Sequence, residues 1–164
     1  MRRGNNRVPV DYRFCRDTVT LYHHLPGPEF SVVRMVYRGA FYDRSLNRKT
    51  TESGTGYESC FLLVLPAVGE GRPEYLPPEK FDQLRPGERT GRFTLAPGDK
   101  LTEGEGPEVT TAADWVRLDP RQGAALVKET AERRWMGRLA HIEAGGAQLL
   151  GKSSLPHPRK GSMR

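Results

Sequence analysis

The sequence predicts a mainly β fold with one or two short helices between basic arms, on three observations. Gly and Pro supply 31 of the 164 residues, where about 12% of a chain is usual, so turns are frequent and long helices few. Apolar, aromatic and β-branched residues gather in short runs at 18–22, 30–42 and 57–68, the lengths and composition of strands. The net charge of +6 sits at the ends: residues 1–17 carry +3, residues 151–164 carry +4, and the stretch between carries −1. These segments define an N-terminal basic arm (1–17), a core (18–150) and a basic C-terminal tail (151–164). Lys152, Arg159, Lys160 and Arg164 stand in that tail without an acidic residue, and its apolar content is too low to offset the entropy of ordering.

The elements follow in chain order. In the first arm Val8, Val10, Tyr12 and Phe14 alternate with Pro9, Asp11 and Arg13, a period of two that suits strand pairing. Thr18-Val19-Thr20-Leu21-Tyr22 reads as a strand, closed by the turn Pro26-Gly27-Pro28. Phe30 to Tyr42 is the strongest strand signal, and Gly39 inside it marks a bulge or bend. Residues 44–56 are polar with two glycines and read as a long mobile connection. Tyr57 to Val68 reads as a strand apolar on both faces around Phe61-Leu62-Leu63-Val64-Leu65. From Gly69 to Arg92 the chain is irregular, apart from a helical turn over 79–84 behind Pro77-Pro78. Short strands are expected at 91–95 and from Lys100. A short helix follows over 111–118, with Thr111 as N-cap and Asp114 at its third position. Residues 124–146 allow two structures. Val127, Ala131, Trp135, Leu139 and Ile142 form a helical stripe, and local propensity favours it. The alternative is two strands, 126–134 and 139–144, turning at Gly137.

Spacing gives no signature of the familiar chemistries, which makes an enzyme a poor expectation. No nucleotide-binding, serine-hydrolase or metalloprotease motif is present. His23 and His24 are adjacent, so on a strand they point to opposite faces. Cys60 and His141 have no partners at metal-ligand spacing. Glu103/Glu105 and Asp114/Asp119 read as solvated charges, and Arg133-Arg134-Trp135 as a packing Trp flanked by solvated Arg. No catalytic, cofactor or metal site is expected, and no apolar run reaches the length of a membrane helix. The first residues, Met-Arg-Arg-Gly-Asn-Asn-Arg, lack the apolar segment of a secretory signal.

The order of several short motifs resembles a family. Val19-Thr20-Leu21-Tyr22 is followed by Tyr37-Arg38-Gly39-Ala40-Phe41, a strand ending Leu65-Pro66, and Tyr75-Leu76-Pro77-Pro78-Glu79-Lys80-Phe81. Then come Phe93-Thr94-Leu95-Ala96-Pro97-Gly98-Asp99, Gly104, and Leu139-Ala140-His141-Ile142-Glu143-Ala144-Gly145. Over residues 18–146 this resembles the minor capsid or head–tail connector proteins of tailed bacteriophages. The polar 44–56 segment, the Ala-rich 124–134 stretch and Ile142, where an aromatic is common, depart from the pattern. The resemblance implies a small β-barrel, with 126–134 and 139–144 as strands, that assembles as a homo-oligomeric ring between portal and tail. Such a protein works in the virion at the head–tail junction and assembles in the host cytoplasm. It has no enzymatic activity, no cofactor and no membrane. Its expected partners are neighbouring portal or adaptor and tail proteins. Expected contact residues are the arm cations Arg2, Arg3, Arg7, Arg13 and Arg16, and Lys152, Arg159, Lys160 and Arg164. For the N-terminal arm, strand addition onto protein is favoured. The C-terminal arm suits either protein or non-specific contact with packaged DNA. The alternative function is a cytoplasmic nucleic-acid-binding module on a small β-barrel.

Overall fold

Inward-facing apolar residues recur every second position, and closing them on each other makes a barrel. The computed structural model describes residues 11–52, 54–121 and 123–149, with backbone alone at 46–51 and 55–58. Its strands are β1 (Asp17–His24), β2 (Val32–Thr51), β3 (Gly54–Pro66), β4 (Glu74–Tyr75), β5 (Arg92–Phe93), β6 (Lys100–Glu103), β7 (Ala125–Trp135) and β8 (Arg138–Gln148). Six of them close an antiparallel barrel in the order β1-β2-β3-β8-β7-β6, while β4 and β5 form a separate parallel pair. The helices are short: α1 (Pro78–Phe81) and α2 (Ala112–Arg117). The mainly β expectation and the barrel are thus both found.

The barrel interior is filled, not hollow. Val19, Leu21, Tyr37, Phe61, Leu63, Leu65, Leu101, Val127 and Ile142 meet inside it, together with Phe93 and Leu95 from the 67–99 segment. Each large side chain so buried contributes roughly 1.5–3 kcal/mol. A second, smaller cluster lies outside the wall, where Tyr22, Val109 and Leu118 pack with Phe30, Val32 and Trp115. This cluster holds α2 against the outer face of β1. The helix carries its expected capping box: the Thr111 hydroxyl accepts from the Asp114 N–H, and the Asp114 carboxylate accepts from the Thr111 N–H.

Two glycines are set by geometry. At Gly39 the β1–β2 register slips between Asp17 and Thr18, and φ is +89°, so the expected bulge is present. At Gly146 a Cβ would stand 2.0 Å from the Leu126 carbonyl oxygen. The backbones of β7 and β8 approach too closely there, beside the register shift at Val127/Glu129, for any other residue.

Two expectations about backbone structure fail. Residues 44–56 are not a loose connection: β2 runs on to Thr51 and β3 starts at Gly54, paired without a break from Phe41↔Val64 to Thr51↔Gly54. Polarity reports burial, whereas strand pairing is made by the backbone, and Thr50, Thr51, Thr55 and Tyr57 suit it. Residues 11–16 do not extend the N-terminal alternation as a strand. The Cys15 N–H donates to the Tyr12 carbonyl, closing a turn. The Asp11 carboxylate accepts from the backbone N–H and the guanidinium of Arg13, so local side-chain bonds displace a ladder. Val8 and Val10 lie outside the described residues. In 124–146 the two-strand expectation is met. Met136 (φ +48°) and Gly137 (φ +78°) make the turn, the backbone that a tight hairpin requires. The helical spacing of Val127 to Ile142 loses to barrel pairing.

Candidate functional site

Two strand pairs run on past the closed part of the barrel, and register places them at opposite ends. β3 pairs with β8 only from Cys60↔Ala147 to Pro66↔His141. The β2–β3 hairpin therefore continues past the end marked by Ala147, while the β7–β8 hairpin continues past the end marked by His141. Among the described residues, β3 from Gly54 to Ser59 pairs with β2 alone, and β6 pairs with β7 only at Ala125 and Leu126. An isolated two-stranded ribbon is at best marginally stable in water, and its unpaired edges invite another chain. The β7–β8 tip adds apolar area: Trp135 is 49% and Met136 84% exposed. Trp135 is therefore not the packing residue expected of it. Its neighbours are engaged at the surface, Arg133 with Glu143 at 3.0 Å and Arg134 with Glu132 at 2.7 Å.

Polar side chains fasten the closed part. His23 points into the barrel mouth, and His24 points out, as adjacency on a strand demands. The His23 ring lies between two carboxylates, with Nδ1 2.7 Å from Asp99 Oδ2 and Nε2 2.7 Å from Asp82 Oδ1. Two acceptors need two N–H donors, which only the imidazolium supplies. Burial pulls the His23 pKa down, but the hydrogen bonds and charges of Asp99 and Asp82 outweigh it, and the net shift is upward. Asp99 also accepts from the Ala96 N–H and the His24 N–H. The cluster thus ties β1 to the 96–99 turn and to the end of α1, whose Phe81 stands edge-on to the ring. On the outer face, buried Lys100 donates to Asp119 at 2.7 Å and to the Trp115 carbonyl at 3.0 Å. Its ammonium stands 4.6 Å over the Trp115 ring. Asp119 is thus buried and paired, not solvated as expected; Asp114 caps its helix instead.

A groove of about 570 Å³ opens in the barrel side between the β2 residues Arg34 to Arg38 and the segments 71–73 and 89–93. Five arginines line it: Arg34, Arg38, Arg72, Arg89 and Arg92. Among the described residues no group of three or more His, Cys, Asp or Glu is placed to hold a metal ion. No described helix is long and apolar enough to cross a membrane. Cys60 Sγ lies 3.1 Å from the Ser45 hydroxyl. His141 is held between neighbours: Nε2 lies 3.0 Å from the Glu143 carboxylate and Nδ1 2.8 Å from the Tyr12 hydroxyl. Burial pushes the Tyr12 phenol up to about 12, keeping it a donor.

The arm cations are reached only in part. Arg2, Arg3, Arg7, Lys152, Arg159, Lys160 and Arg164 lie outside the described residues. Arg13 is exposed and pairs with Asp11 at 2.6 Å, and Arg16 donates to the Arg13 carbonyl. Beside them Phe14 is 79% exposed.

Residues 14–147 match the model of a family described as Family of unknown function (DUF6751). The chain belongs to this family. In this DUF6751 member the matched range runs from the turn before β1 almost to the end of β8, so the barrel, both ribbons and the arginine groove all fall inside it. Arg2, Arg3, Arg7 and Arg13, and the four C-terminal cations, fall outside. No curated protein and no solved structure matches the chain. The groove escaped sequence reasoning because its arginines come from three segments far apart in the chain, 34–38, 72 and 89–92. A signal did exist in the arginine spacing of four at 34/38 and three at 89/92.

Proposed function

We propose that this chain is a non-enzymatic virion subunit, a head–tail connector of the head-closure type that assembles as a ring between portal and tail of a tailed bacteriophage. The observation that supports it is the pair of two-stranded ribbons leaving a plugged barrel at opposite ends. A subunit stacked between two different layers needs contacts at both ends, and a filled barrel leaves the ring, not the subunit, to form the channel. Side-by-side repetition of one interface closes a ring when the rotation closes, and it would cover the free ribbon edges. Portal or adaptor proteins on one side and tail proteins on the other are the partners in this reading. The arm cations Arg2 to Arg16 would reach a protein neighbour, and Lys152 to Arg164 a protein or packaged DNA. The order of short motifs over 18–146 points the same way.

The experiment is co-expression of the full chain with a portal ring, followed by mass photometry and electron microscopy. A ring of this chain seated on the portal is the expected result. A monomer that ignores the portal at every concentration tried would overturn the proposal. The nucleic-acid module reading has one observation in its favour, the five groove arginines. Against it, the aromatic rings of Tyr37 and Phe93 at the groove are buried, which leaves no platform there for stacking bases.

A further inference from the structure

The arginine groove is also an open sheet edge. The Leu25 N–H donates to the Ser31 carbonyl, and the β1–β2 register runs in step from there: His23↔Val33, Tyr22↔Arg34, Leu21↔Met35, Thr20↔Val36. In an antiparallel pair alternate residues exchange bonds with the partner. Val33 and Met35 therefore turn their backbone groups to β1, and Arg34 and Val36 turn theirs outward. On that outer side β3 begins to pair only at Phe41↔Val64. Among the described residues no strand lies beside Arg34 and Val36; the groove does. Its position continues the line of β3 beyond Pro66, where a further strand of the barrel would run.

We propose that this groove receives an acidic, extended segment of a partner protein, which adds as a strand along β2 from Val32 to Arg38. The backbone edge selects a polypeptide in β conformation. The charge selects its side chains. Arg34 stands 3.5 Å from Glu108, Arg92 3.5 Å from Glu74, and Arg38 pairs with Glu105, so carboxylates already visit the groove rim; the Arg38 and Arg92 pairs are exposed and exchange at little cost, while Arg34 is partly buried and also donates to the Gly106 carbonyl. Arg72 donates to the Gly39 carbonyl at 2.6 Å, and Arg89 to the Leu84 carbonyl at 3.1 Å. Neither has a carboxylate partner among the described residues, which leaves the groove positive. The protein's own termini are the wrong sign: residues 1–10 carry three Arg, and residues 151–164 carry four cations, with no acid in either. Pro9 would also interrupt a ladder. This inference stands apart from the connector proposal, because the groove lies on the barrel side and uses neither ribbon.

The test uses the full chain and a dye-labelled short peptide alternating glutamate and valine, read by fluorescence anisotropy and by hydrogen exchange. The peptide is expected to bind and to slow exchange of the Arg34 and Val36 amides. The double substitution Arg38→Glu with Arg92→Glu is expected to weaken binding by about tenfold or more, as is N-methylation of alternate peptide amides, which leaves peptide charge unchanged. Both arginines are surface-paired, so the variant should fold with an unchanged melting temperature. Absence of binding would overturn the proposal, and so would equal binding of the N-methylated peptide, which reduces the site to charge alone. Tight binding of an oligothymidylate, with the same dependence on Arg38 and Arg92 and no peptide binding, would reassign the groove to nucleic acid.

Discussion

Lys100 and Trp135 stand on neighbouring strands of one barrel, in surroundings that differ in kind. Lys100, a cation, is buried on β6 beneath α2, with its ammonium satisfied by Asp119, the Trp115 carbonyl and the Trp115 ring. Trp135, a large aromatic, is half exposed at the end of β7 with Met136 beside it. Burial is thus inverted relative to polarity at these two places. The covered part of the wall tolerates a charge because its partners are supplied in full. The ribbon leaves an apolar ring half in water. The first arrangement has its purpose within the chain; the second has none there.

The sharpest way to break the comparison is to remove one half of the buried pair. Asp119→Ala leaves the Lys100 ammonium buried against a carbonyl and an aromatic face only. Breaking a buried ion pair by deleting one partner costs about 3–5 kcal/mol. Chemical denaturation should show that loss, with the unfolding slope unchanged. A double substitution, Lys100→Met with Asp119→Leu, removes both charges and should recover most of it. If the single change is silent, the pair is not the fastener that its burial suggests.

A smaller effect is expected at the barrel mouth. His23→Gln keeps a donor but only one charge-free arm between Asp82 and Asp99, leaving a buried acceptor poorly paired, at a cost of about 1–3 kcal/mol. This loss depends on pH with a definite sign. The folded-state pKa of His23 lies above its unfolded value of about 6.5. The imidazolium therefore contributes its full stabilisation below that unfolded value and loses it as pH rises through the folded pKa. The stability gap between the native chain and His23→Gln should accordingly be widest in mild acid and narrow as the solution becomes alkaline. A gap that widened with pH would mean that His23 is held neutral.

These sites also mark how far sequence carries. The strands at 18–22 and 57–66, the bulge at Gly39 and the Thr111–Asp114 box were legible because each is a local pattern with a local cause, whereas the hairpin turning at Gly137 ran against local helix propensity and was reached only through the order of motifs. The polar 44–56 segment was misjudged because apolar periodicity reads side chains, whereas the β2–β3 ladder there is made by the backbone. Asp119 and His23 were hidden for a different reason. Their partners lie 19, 59 and 76 residues away, and nothing at the residue itself distinguishes a buried carboxylate from a solvated one. The groove arginines share that origin. Trp135 was misjudged because an aromatic is packed in most contexts, and its exposure follows only from where β6 stops.

The smallest expected effect on stability is the one that bears most on function. Replacing Trp135 and Met136 together with serine removes apolar area from a ribbon tip where both side chains are exposed and neither belongs to a core cluster. Surface substitutions away from packed features stay within about 0.5 kcal/mol, so the melting temperature should hardly move. The backbone turn survives if Gly137 is kept, because serine tolerates the strained position no worse than methionine does. Assembly should respond differently. An exposed aromatic with an adjacent methionine is the composition that anchors protein interfaces, and truncating such an anchor costs about 2 kcal/mol or more of binding. Mass photometry with the portal ring should then show the ring population falling steeply, while the monomer unfolds as before. If stability falls instead and assembly persists, the tip packs on its own chain in solution, and the contrast between Lys100 and Trp135 dissolves.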